Sequence, residues 1–201
     1  MSQPLFNPLD KANLGRSVVE ALTATRASSL KDLSKFFGAG VYAIYYAGAF
    51  EPYSALAKVN HGGAHRPIYV GKAIPRGGRK GLTSDTSLDS QALYERLKEH
   101  AESIEATSDL GVADFKCRYL VVDDIWIGLG EALLIQKFNP LWNQVVEGFG
   151  NHDPGAGRRK GKRPLWDELH TGRAWAKKLK PAKHARDEIL KQVSDYMRAL
   201  R

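Results

Sequence analysis

Two short stretches decide the fold of this chain: GVYAIYY at residues 40–46 and IYVGKA at residues 68–73. Both are rich in β-branched and aromatic residues and contain or adjoin glycine, a pattern that predicts two β-strands. Each strand has a tyrosine with a glycine two positions away, Tyr42 in the first and Tyr69 in the second. A strand tyrosine is ordinarily a packing residue with its hydroxyl at the rim, so neither one alone indicates a function.

The residues around these strands predict an α+β fold. Residues 48–66 are too many for a tight hairpin and are interpreted as an insertion between the strands. Apolar residues at near-helical spacing predict one or two N-terminal helices over residues 14–37, ending at a Gly-Ala-Gly breaker. Downstream, the pattern predicts a helix over 88–104, a strand over 115–122 and a helix over 125–138, giving the order β-β-α-β-α.

We expect one domain over residues 1–201, with its core in residues 38–146. Residues 1–37 are predicted to be an N-terminal helical addition. Residues 147–201 are predicted to be a basic arm followed by a C-terminal helical addition, because their glycine, proline and charge content changes to helical patterns after residue 164.

Composition limits the kind of protein. With 201 residues, 43% of them hydrophobic, the chain can bury a conventional core. Its single cysteine, Cys117, excludes a disulfide framework and a zinc finger. The sequence has no recognisable secretion signal and no apolar run of membrane-spanning length, so we expect a cytoplasmic protein of the bacterial intracellular type with no membrane partner.

The formal net charge of +8 is concentrated in one segment. Residues 158–186 hold 11 lysines and arginines against two acidic residues, whereas the remainder of the chain is close to neutral. A localised basic segment indicates a polyanionic partner, most often nucleic acid, and a solvated tail is an equally good interpretation. A second basic stretch, with Arg76, Arg79 and Lys80 among glycines, follows the second strand and would let backbone approach a ligand closely.

Glu131 lies on the apolar face of the predicted helix 125–138. At about 100° per residue, its neighbours within roughly 60° on the helical wheel are Ile127, Leu134, Ile135 and Phe138. Burying an ionised carboxylate without a partner costs several kcal/mol, so Glu131 needs a cation, a hydrogen-bonding neighbour or a proton. A metal ion is one natural partner, and the alternative is a glutamate at the margin of the face that reaches water.

Arg96 and His100 are four residues apart on the predicted helix 88–104, and therefore share one face at the edge of its apolar stripe. Arginine presents a planar fork of donors to phosphate oxygens, and histidine can move a proton near neutral pH. Any basic helix offers such pairs, so on these two residues alone a surface pair is the favoured interpretation.

Taken together, these residues resemble the signature of the GIY-YIG nucleases. GVY at 40–42 and YVG at 69–71 match the paired triplets of that family, with valine in place of isoleucine. The family's helix arginine and following histidine fall on Arg96 and His100, its metal-binding glutamate on Glu131, and its late asparagine, after an F-x-P-x-x-N run, on Asn143. The resemblance covers residues 38–146 and implies a small antiparallel sheet flanked by helices, whose hairpin brings both tyrosines to one catalytic surface.

The resemblance implies metal-dependent hydrolysis of a phosphodiester by in-line attack of water. Glu131 would hold one Mg²⁺ (or Mn²⁺) ion per active site, which offsets charge that develops on the phosphate. Arg96 would stabilise the same phosphate. Asn143 would brace the site through hydrogen bonds to the backbone.

The resemblance also implies how the proton of the attacking water is handled. Tyr42 would take it, assisted by His100, while Tyr69 would position the water or the phosphate. The pKa of a free tyrosine is about 10. Tyr42 must therefore be acidified by nearby cations, among which Lys72 follows the YVG triplet directly, or must relay its proton onward.

Double-stranded DNA is the substrate that the resemblance implies. Repair and homing relatives carry zinc, helix-hairpin-helix or linker-joined modules, for which this chain has too few cysteines or residues. Its insertions and basic flanks instead resemble the small type II restriction endonucleases, which implies a palindromic target and a homodimer that shares the dyad of the DNA. The alternatives are a structure-specific repair-type nuclease and a non-catalytic basic DNA-binding protein. The residues expected to contact DNA are Arg76, Arg79, Lys80, Arg158, Arg159, Lys160, Lys162, Arg163 and Arg173.

Overall fold

The computed structural model describes residues 9–75, 88–155 and 161–200. Its centre is an antiparallel sheet of four strands in the order β1-β4-β2-β3. The strands are β1 (Ser28–Ser29), β2 (Gly40–Tyr46), β3 (Tyr69–Ala73) and β4 (Phe115–Val121). The tyrosine-bearing strands β2 and β3 pair directly, with Tyr42 opposite Gly71, which places β3 at one edge of the sheet.

Seven α-helices accompany the sheet in the described residues. They are α1 (Lys11–Ala24), α2 (Ser54–Asn60), α3 (Ala92–Glu105), α4 (Asp124–Phe138), α5 (Leu141–Gln144), α6 (Leu165–Leu169) and α7 (Arg186–Ala199). The predicted α+β class is confirmed, and the order β-β-α-β-α corresponds to β2, β3, α3, β4 and α4. Within the described ranges, no helix combines the length and apolar character that crossing a bilayer requires.

The sheet is buried on both faces. All seven residues of β2 are buried. Tyr42 and Ile44 belong to one hydrophobic cluster with Leu97 of α3, whereas Val41 belongs to another with Ile127 of α4. Because successive side chains of a strand point to opposite faces, α3 covers the Tyr42 face and α4 covers the Val41 face.

Helix α4 has clear local signals at both ends. The carboxylate of Asp123 accepts a hydrogen bond from the N–H of Ile125 at 3.2 Å and caps the helix. The helix ends at Asn139, which takes the left-handed conformation with φ of 45°, and Pro140 follows it. Asparagine tolerates this conformation better than most residues. The predicted end of the helix at Asn139-Pro140 is confirmed.

The predicted helical region over residues 14–37 is helical only in its first half. Helix α1 ends at Ala24, and Ser28 and Ser29 instead pair with β4 as an edge strand. The N–H of Leu30 continues this pairing with a bond to the Phe115 carbonyl at 3.0 Å. Serine side chains compete with helical backbone bonds. The exposed edge of β4 satisfies this segment's backbone instead, so the helical prediction after residue 24 is wrong there.

Residues 48–66, interpreted as an insertion, form a packed connection that contains α2. Tyr53 and Leu56 of this segment are fully buried. Its end is fixed by the side chain of Asn60, which donates to the carbonyls of Tyr46 and Arg66 at 3.0 and 2.8 Å. The Asn60 oxygen also accepts from the N–H of Arg66 at 2.9 Å. One buried asparagine therefore ties the end of β2 to the approach of β3.

The C-terminal segment contributes to the same hydrophobic cluster as the core. Trp166 of α6 and both Ile189 and Val193 of α7 are fully buried in the cluster that contains Tyr42. Trp142 lies 5.7 Å from Trp166, measured between ring centroids. Side chains from residues 161–200 therefore belong to the same buried cluster as Tyr42.

Candidate active site

Tyr42 and Tyr69 meet at the β3 edge of the sheet. Their ring centroids are 6.3 Å apart. Tyr42 is fully buried and Tyr69 is partly exposed. Gly71 makes room for the Tyr42 phenol, because a Cβ at this position would lie 2.6 Å from Tyr42 Cζ and 3.0 Å from a ring carbon of Tyr69. Glycine is therefore required in the YVG triplet on steric grounds, because a side chain there would displace the buried hydroxyl of Tyr42.

The Tyr42 hydroxyl is hydrogen-bonded to Nε2 of His100 at 2.6 Å. His100 is 2% exposed, and burial lowers its pKa well below 6.5, aided by the positive charge of Arg96. Burial also raises the pKa of Tyr42 well above 10, and the nearby Arg96 charge only partly opposes this effect. Near neutral pH, therefore, a protonated phenol donates to a neutral imidazole.

This geometry distinguishes the two routes by which Tyr42 could act. Acidification by surrounding cations requires a lowered pKa, whereas burial raises the pKa of Tyr42. The relay route fits, because His100 Nε2 is already in hydrogen-bond contact with the phenol and can accept its proton.

Arg96 lies on α3 one turn before His100, with its side chain 17% exposed. Its guanidinium bonds Glu99 at 2.9 Å, contacts the imidazole of His152, and donates to the carbonyl of Gly150. The positive charge of Arg96 also acts on Tyr42, because it opposes the rise in pKa that burial causes there. The Arg96 guanidinium therefore lies between the two tyrosines and the loop that carries His152.

Glu131 reaches the site from the opposite face of the sheet. Its carboxylate forms an ion pair with Lys72 Nζ at 2.7 Å, and the Glu131 side chain is 21% exposed. Burial raises the pKa of both Tyr42 and Tyr69, and the Glu131 charge raises it further. The carboxylate on the apolar face of α4 thus has the cationic partner that its position requires, and in this structure that partner is a lysine.

The single carboxylate of Glu131 fits a Mg²⁺ ion that is also bound by a substrate phosphate. Within residues 9–75, 88–155 and 161–200, no group of three or more His, Cys, Asp or Glu side chains could enclose a metal ion. Mg²⁺ is commonly bound through one or two carboxylates together with waters and substrate phosphates, so a dedicated protein cage is not needed. Glu131, partly solvated at the edge of the sheet, can supply that single carboxylate.

Asn143 braces the edge strand. Its Oδ1 accepts from the N–H of Val70 and its Nδ2 donates to the carbonyl of Val70, both at 2.8 Å. The amide therefore pairs with β3 as a neighbouring strand would. Since Val70 lies between Tyr69 and Gly71, this clamp fixes the backbone that positions the tyrosine pair.

A loop after α5, residues 148–152, completes the site, although the sequence patterns did not identify it. The ring of Phe149 stacks on His100 with centroids 4.4 Å apart and planes 20° from parallel. A Cβ at Gly150 would lie 3.4 Å from both Tyr69 Cζ and Arg96 Nη2. The GFG run at 148–150 was the available signal, because glycine allows the backbone close approach to other groups.

The predicted DNA contacts have different outcomes. Arg76, Arg79, Lys80, Arg158, Arg159 and Lys160 lie outside the described residues. Lys162 is exposed. Arg163 is occupied within the C-terminal segment, where it pairs with Glu168 at 3.1 Å and donates to the carbonyl of Ala176 at 3.2 Å.

The prediction that Arg173 contacts DNA is corrected by its position. Arg173 is 5% exposed and its guanidinium forms two bonds with Asp167, at 2.7 and 2.5 Å. The charge count could not distinguish this buried cation from the exposed cations around it.

A second buried network of hydrogen bonds, also not identified from sequence, centres on His170. Nδ1 of His170 bonds Asp109 at 2.9 Å, and its Nε2 is 2.6 Å from the Tyr53 hydroxyl. That hydroxyl also accepts from the indole N–H of Trp142 at 3.0 Å. A neutral His170 satisfies each hydrogen bond in this network. The network links the C-terminal segment to the connection that contains α2.

Residues 34–197 match the family model described as the Eco29kI GIY-YIG domain. The match begins before β2 and ends within α7, so it extends beyond the segment 38–146 in which the signature residues lie. No curated protein matches the chain.

Proposed function

The chain belongs to the Eco29kI GIY-YIG nuclease family, and from that membership we propose that it is a type II restriction endonuclease that cleaves double-stranded DNA at a specific, palindromic sequence. The observation that carries this proposal is the buried Tyr42–His100 hydrogen bond of 2.6 Å at the sheet edge. Arg96 approaches that edge from one face of the sheet and Glu131 from the other. A hydrogen-bonded phenol–imidazole pair, an arginine and a carboxylate lie at this edge, and this combination of groups supports phosphodiester hydrolysis as the reaction.

Arg96 would bind the scissile phosphate. Its guanidinium donors contact Glu99, Gly150 and His152 in the free protein, and a phosphate would exchange for the exposed ones. A planar fork of donors suits two phosphate oxygens at once and stabilises the charge that builds up on them. Tyr69, beside the fork and partly exposed, would orient the phosphate or the attacking water.

The Tyr42–His100 pair would move the proton. As water attacks phosphorus, the Tyr42 oxygen accepts a proton from the water while the phenolic proton passes to His100 Nε2. The net change is one proton carried from water to imidazole. Because burial lowers the pKa of His100 well below 6.5, the imidazole is unprotonated at neutral pH but is a weak base in the free protein, and the negative charge of a bound phosphate would raise its pKa toward the value that a general base needs. It returns the proton to solvent or to the leaving oxygen after cleavage.

The metal would enter through Glu131. When bound, one Mg²⁺ or Mn²⁺ ion per site supplies Lewis-acid stabilisation of charge on the phosphate and the leaving oxygen. Glu131 would hold it, and Lys72, paired with the carboxylate at 2.7 Å in the free protein, keeps Glu131 oriented toward the edge of the sheet. Asn143 keeps the edge strand itself in place.

Double-stranded DNA would bind along the basic arm at residues 158–163 and the basic stretch at residues 76–80. One site of this kind hydrolyses one strand at a time, so cutting both strands at one position calls for two chains related by the dyad of the target. Such an enzyme would act in the cytoplasm.

Incubation with a supercoiled plasmid in the presence of Mg²⁺ tests the proposal against its alternatives. A restriction enzyme converts the plasmid to discrete linear fragments, and EDTA abolishes the reaction. Accumulation of nicked circles without linear product identifies a structure-specific repair-type nuclease. A mobility shift with no cleavage under any divalent ion identifies a non-catalytic DNA-binding protein.

A further inference from the structure

Arg173 is held in a fixed orientation on three sides. Its Nε and Nη2 bond the two carboxylate oxygens of Asp167 at 2.7 and 2.5 Å. The guanidinium carbon lies 4.6 Å from the ring centroid of Trp166 and 4.7 Å from that of Trp175. A bidentate ion pair combined with two aromatic contacts leaves a planar cation little freedom.

The remaining donors of Arg173 grip the backbone of the loop at residues 148–152. Nη1 donates to the carbonyls of Phe149 and Asn151 at 2.9 and 3.0 Å, and Nη2 donates to the carbonyl of Gly148 at 3.0 Å. The carbonyl of Gly150, in the middle of the same loop, instead accepts from Arg96. Carbonyls of one short loop are thus divided between a buried structural cation and a candidate catalytic one.

The other side of the same loop contacts the candidate active site. Phe149 stacks on His100 at 4.4 Å between ring centroids and meets Tyr69 edge-on at 5.0 Å. Gly150 lies so close to Tyr69 that a Cβ there would overlap the Tyr69 hydroxyl oxygen. Any displacement of the loop backbone would therefore move the groups that surround the imidazole and the guanidinium.

We propose that Arg173 is a positioning residue for phosphodiester cleavage: it holds the loop 148–152 so that the Gly150 carbonyl orients Arg96 and the Phe149 ring shields His100 from water. This inference rests on the proposed function, because it assigns to Arg173 the placement of groups that act on the phosphate. Misplacing a catalytic group by about 1 Å can cost on the order of 100-fold in rate. Arg173 acts through the loop and does not touch the DNA.

Arg173→Lys is the informative variant, because it keeps the positive charge and removes the planar fork that reaches Asp167 and three carbonyls at once. We expect the single-turnover cleavage rate to fall by roughly 10- to 100-fold, with the dissociation constant for the same duplex unchanged. Asp195→Asn is the control. It removes the charge from another arginine–carboxylate pair of the C-terminal segment, Arg198–Asp195 at 3.3 Å, whose two residues are exposed on α7 and are assigned neither to DNA nor to the loop. This control should leave the cleavage rate and the His100 titration as they were.

The NMR titration of His100 gives a second readout that needs no activity. The titratable and charged groups around this imidazole are Tyr42 on β2, Tyr69 on β3, Arg96 on its own helix, His152 on the loop and Arg173. Arg173→Lys preserves the charge of the last, so a change reports on the loop. We expect the pKa of His100 to rise toward its ordinary 6.5 as Phe149 loosens, and the acid limb of the pH–rate profile to move up with it.

The outcomes are decisive in either direction. A folded Arg173→Lys protein with the parental cleavage rate and the parental His100 titration overturns the proposal. If Arg173→Lys does not fold, Asp167→Glu takes its place, since it keeps both charges and shifts the guanidinium by one methylene. If the parent protein itself cuts no DNA, the proposed function has failed, and the His100 titration alone decides whether Arg173 sets the environment of the site.

Discussion

Removing one oxygen atom tests the relay between Tyr42 and His100. Tyr42→Phe deletes the hydroxyl and keeps the ring, which packs against Gly71. Since the deleted group is the proposed proton acceptor, we expect the single-turnover rate to fall by about 10²- to 10⁴-fold, equivalent to roughly 3–5 kcal/mol in the barrier. The measurement is the rate of strand cleavage on saturating Mg²⁺ with protein in excess of DNA, which separates chemistry from product release.

The same substitution has a cost in stability that can be worked out from the structure. His100 is 2% exposed, and its Nε2 would lose the bond it makes at 2.6 Å. An unpaired acceptor at a buried site costs about 1–3 kcal/mol. For a chain of this length, each kcal/mol corresponds to a fall of roughly 2–4 °C in the melting temperature. Thermal denaturation should therefore show a small loss, and the variant should remain folded under assay conditions.

Tyr45→Phe is the matched control, because it deletes a hydroxyl from the same strand on the opposite face of the sheet. Tyr45 is 2% exposed, and its hydroxyl has no hydrogen-bond partner among the described residues. Deleting it should leave stability equal or slightly higher and the cleavage rate unchanged. If Tyr42→Phe cuts as fast as Tyr45→Phe between about pH 6 and pH 9, the phenol is a packing residue and the relay is refuted.

Four further predictions follow from the site and its surroundings. Glu131→Gln should abolish Mg²⁺-dependent cleavage and retain DNA binding in a mobility-shift assay, and near-parental cutting would remove Glu131 from the metal site. Neutralising Arg158, Arg159, Lys160 and Lys162 should lower the slope of log K against log salt by about 0.9 for each phosphate group that the protein no longer neutralises, whereas an unchanged slope would identify a solvated tail. Burial lowers the pKa of both His100 and His170 below 6.5. Below about pH 6.5 the unfolded chain therefore binds more protons than the folded chain. The melting temperature should then fall as the pH drops below about 6.5, and a flat profile to about pH 5 would count against neutral buried imidazoles. Sedimentation of the complex with cognate duplex should show two chains per DNA, and one chain per duplex cut on both strands would exclude the dimer.

The core of the fold was predictable from local patterns. Short β-branched runs bounded by glycine, and helices with apolar residues at regular spacing, predict β2, β3, α3, β4 and α4 in the right order, although α3 begins at Ala92 and not at residue 88. What failed was a segment whose structure depends on a distant partner. Ser28 and Ser29 form a strand because β4 offers an edge for them to pair with, and no spacing within residues 25–37 could indicate this.

The sequence predicted the signature residues of the candidate site. It did not predict the residues that surround and orient them. The tyrosines, Arg96, His100 and Glu131 converge at the sheet edge. Arg173 was misassigned because a count of charges treats every cation as exposed. Its tryptophan neighbours at 166 and 175, and the aspartate six residues before it, were a readable sign of a buried ion pair, since aromatic faces and a carboxylate are the usual partners of a buried arginine.

The candidate site lies at the edge of the sheet because its residues come from helices on both faces of the sheet. Arg96 and His100 come from α3, which covers the Tyr42 face, whereas Glu131 comes from α4, which covers the opposite one. Inside the sheet these two groups would be separated by the full thickness of β2, whose seven residues are all buried. At β3 the sheet ends, so helices on both sides can direct side chains to one surface. An edge strand is also the part of a sheet with the weakest support, and the two bonds of 2.8 Å from Asn143 to Val70 supply the neighbour that β3 lacks. In the proposed mechanism Asn143 would therefore hold the strand and not the substrate, at the point where the sheet ends.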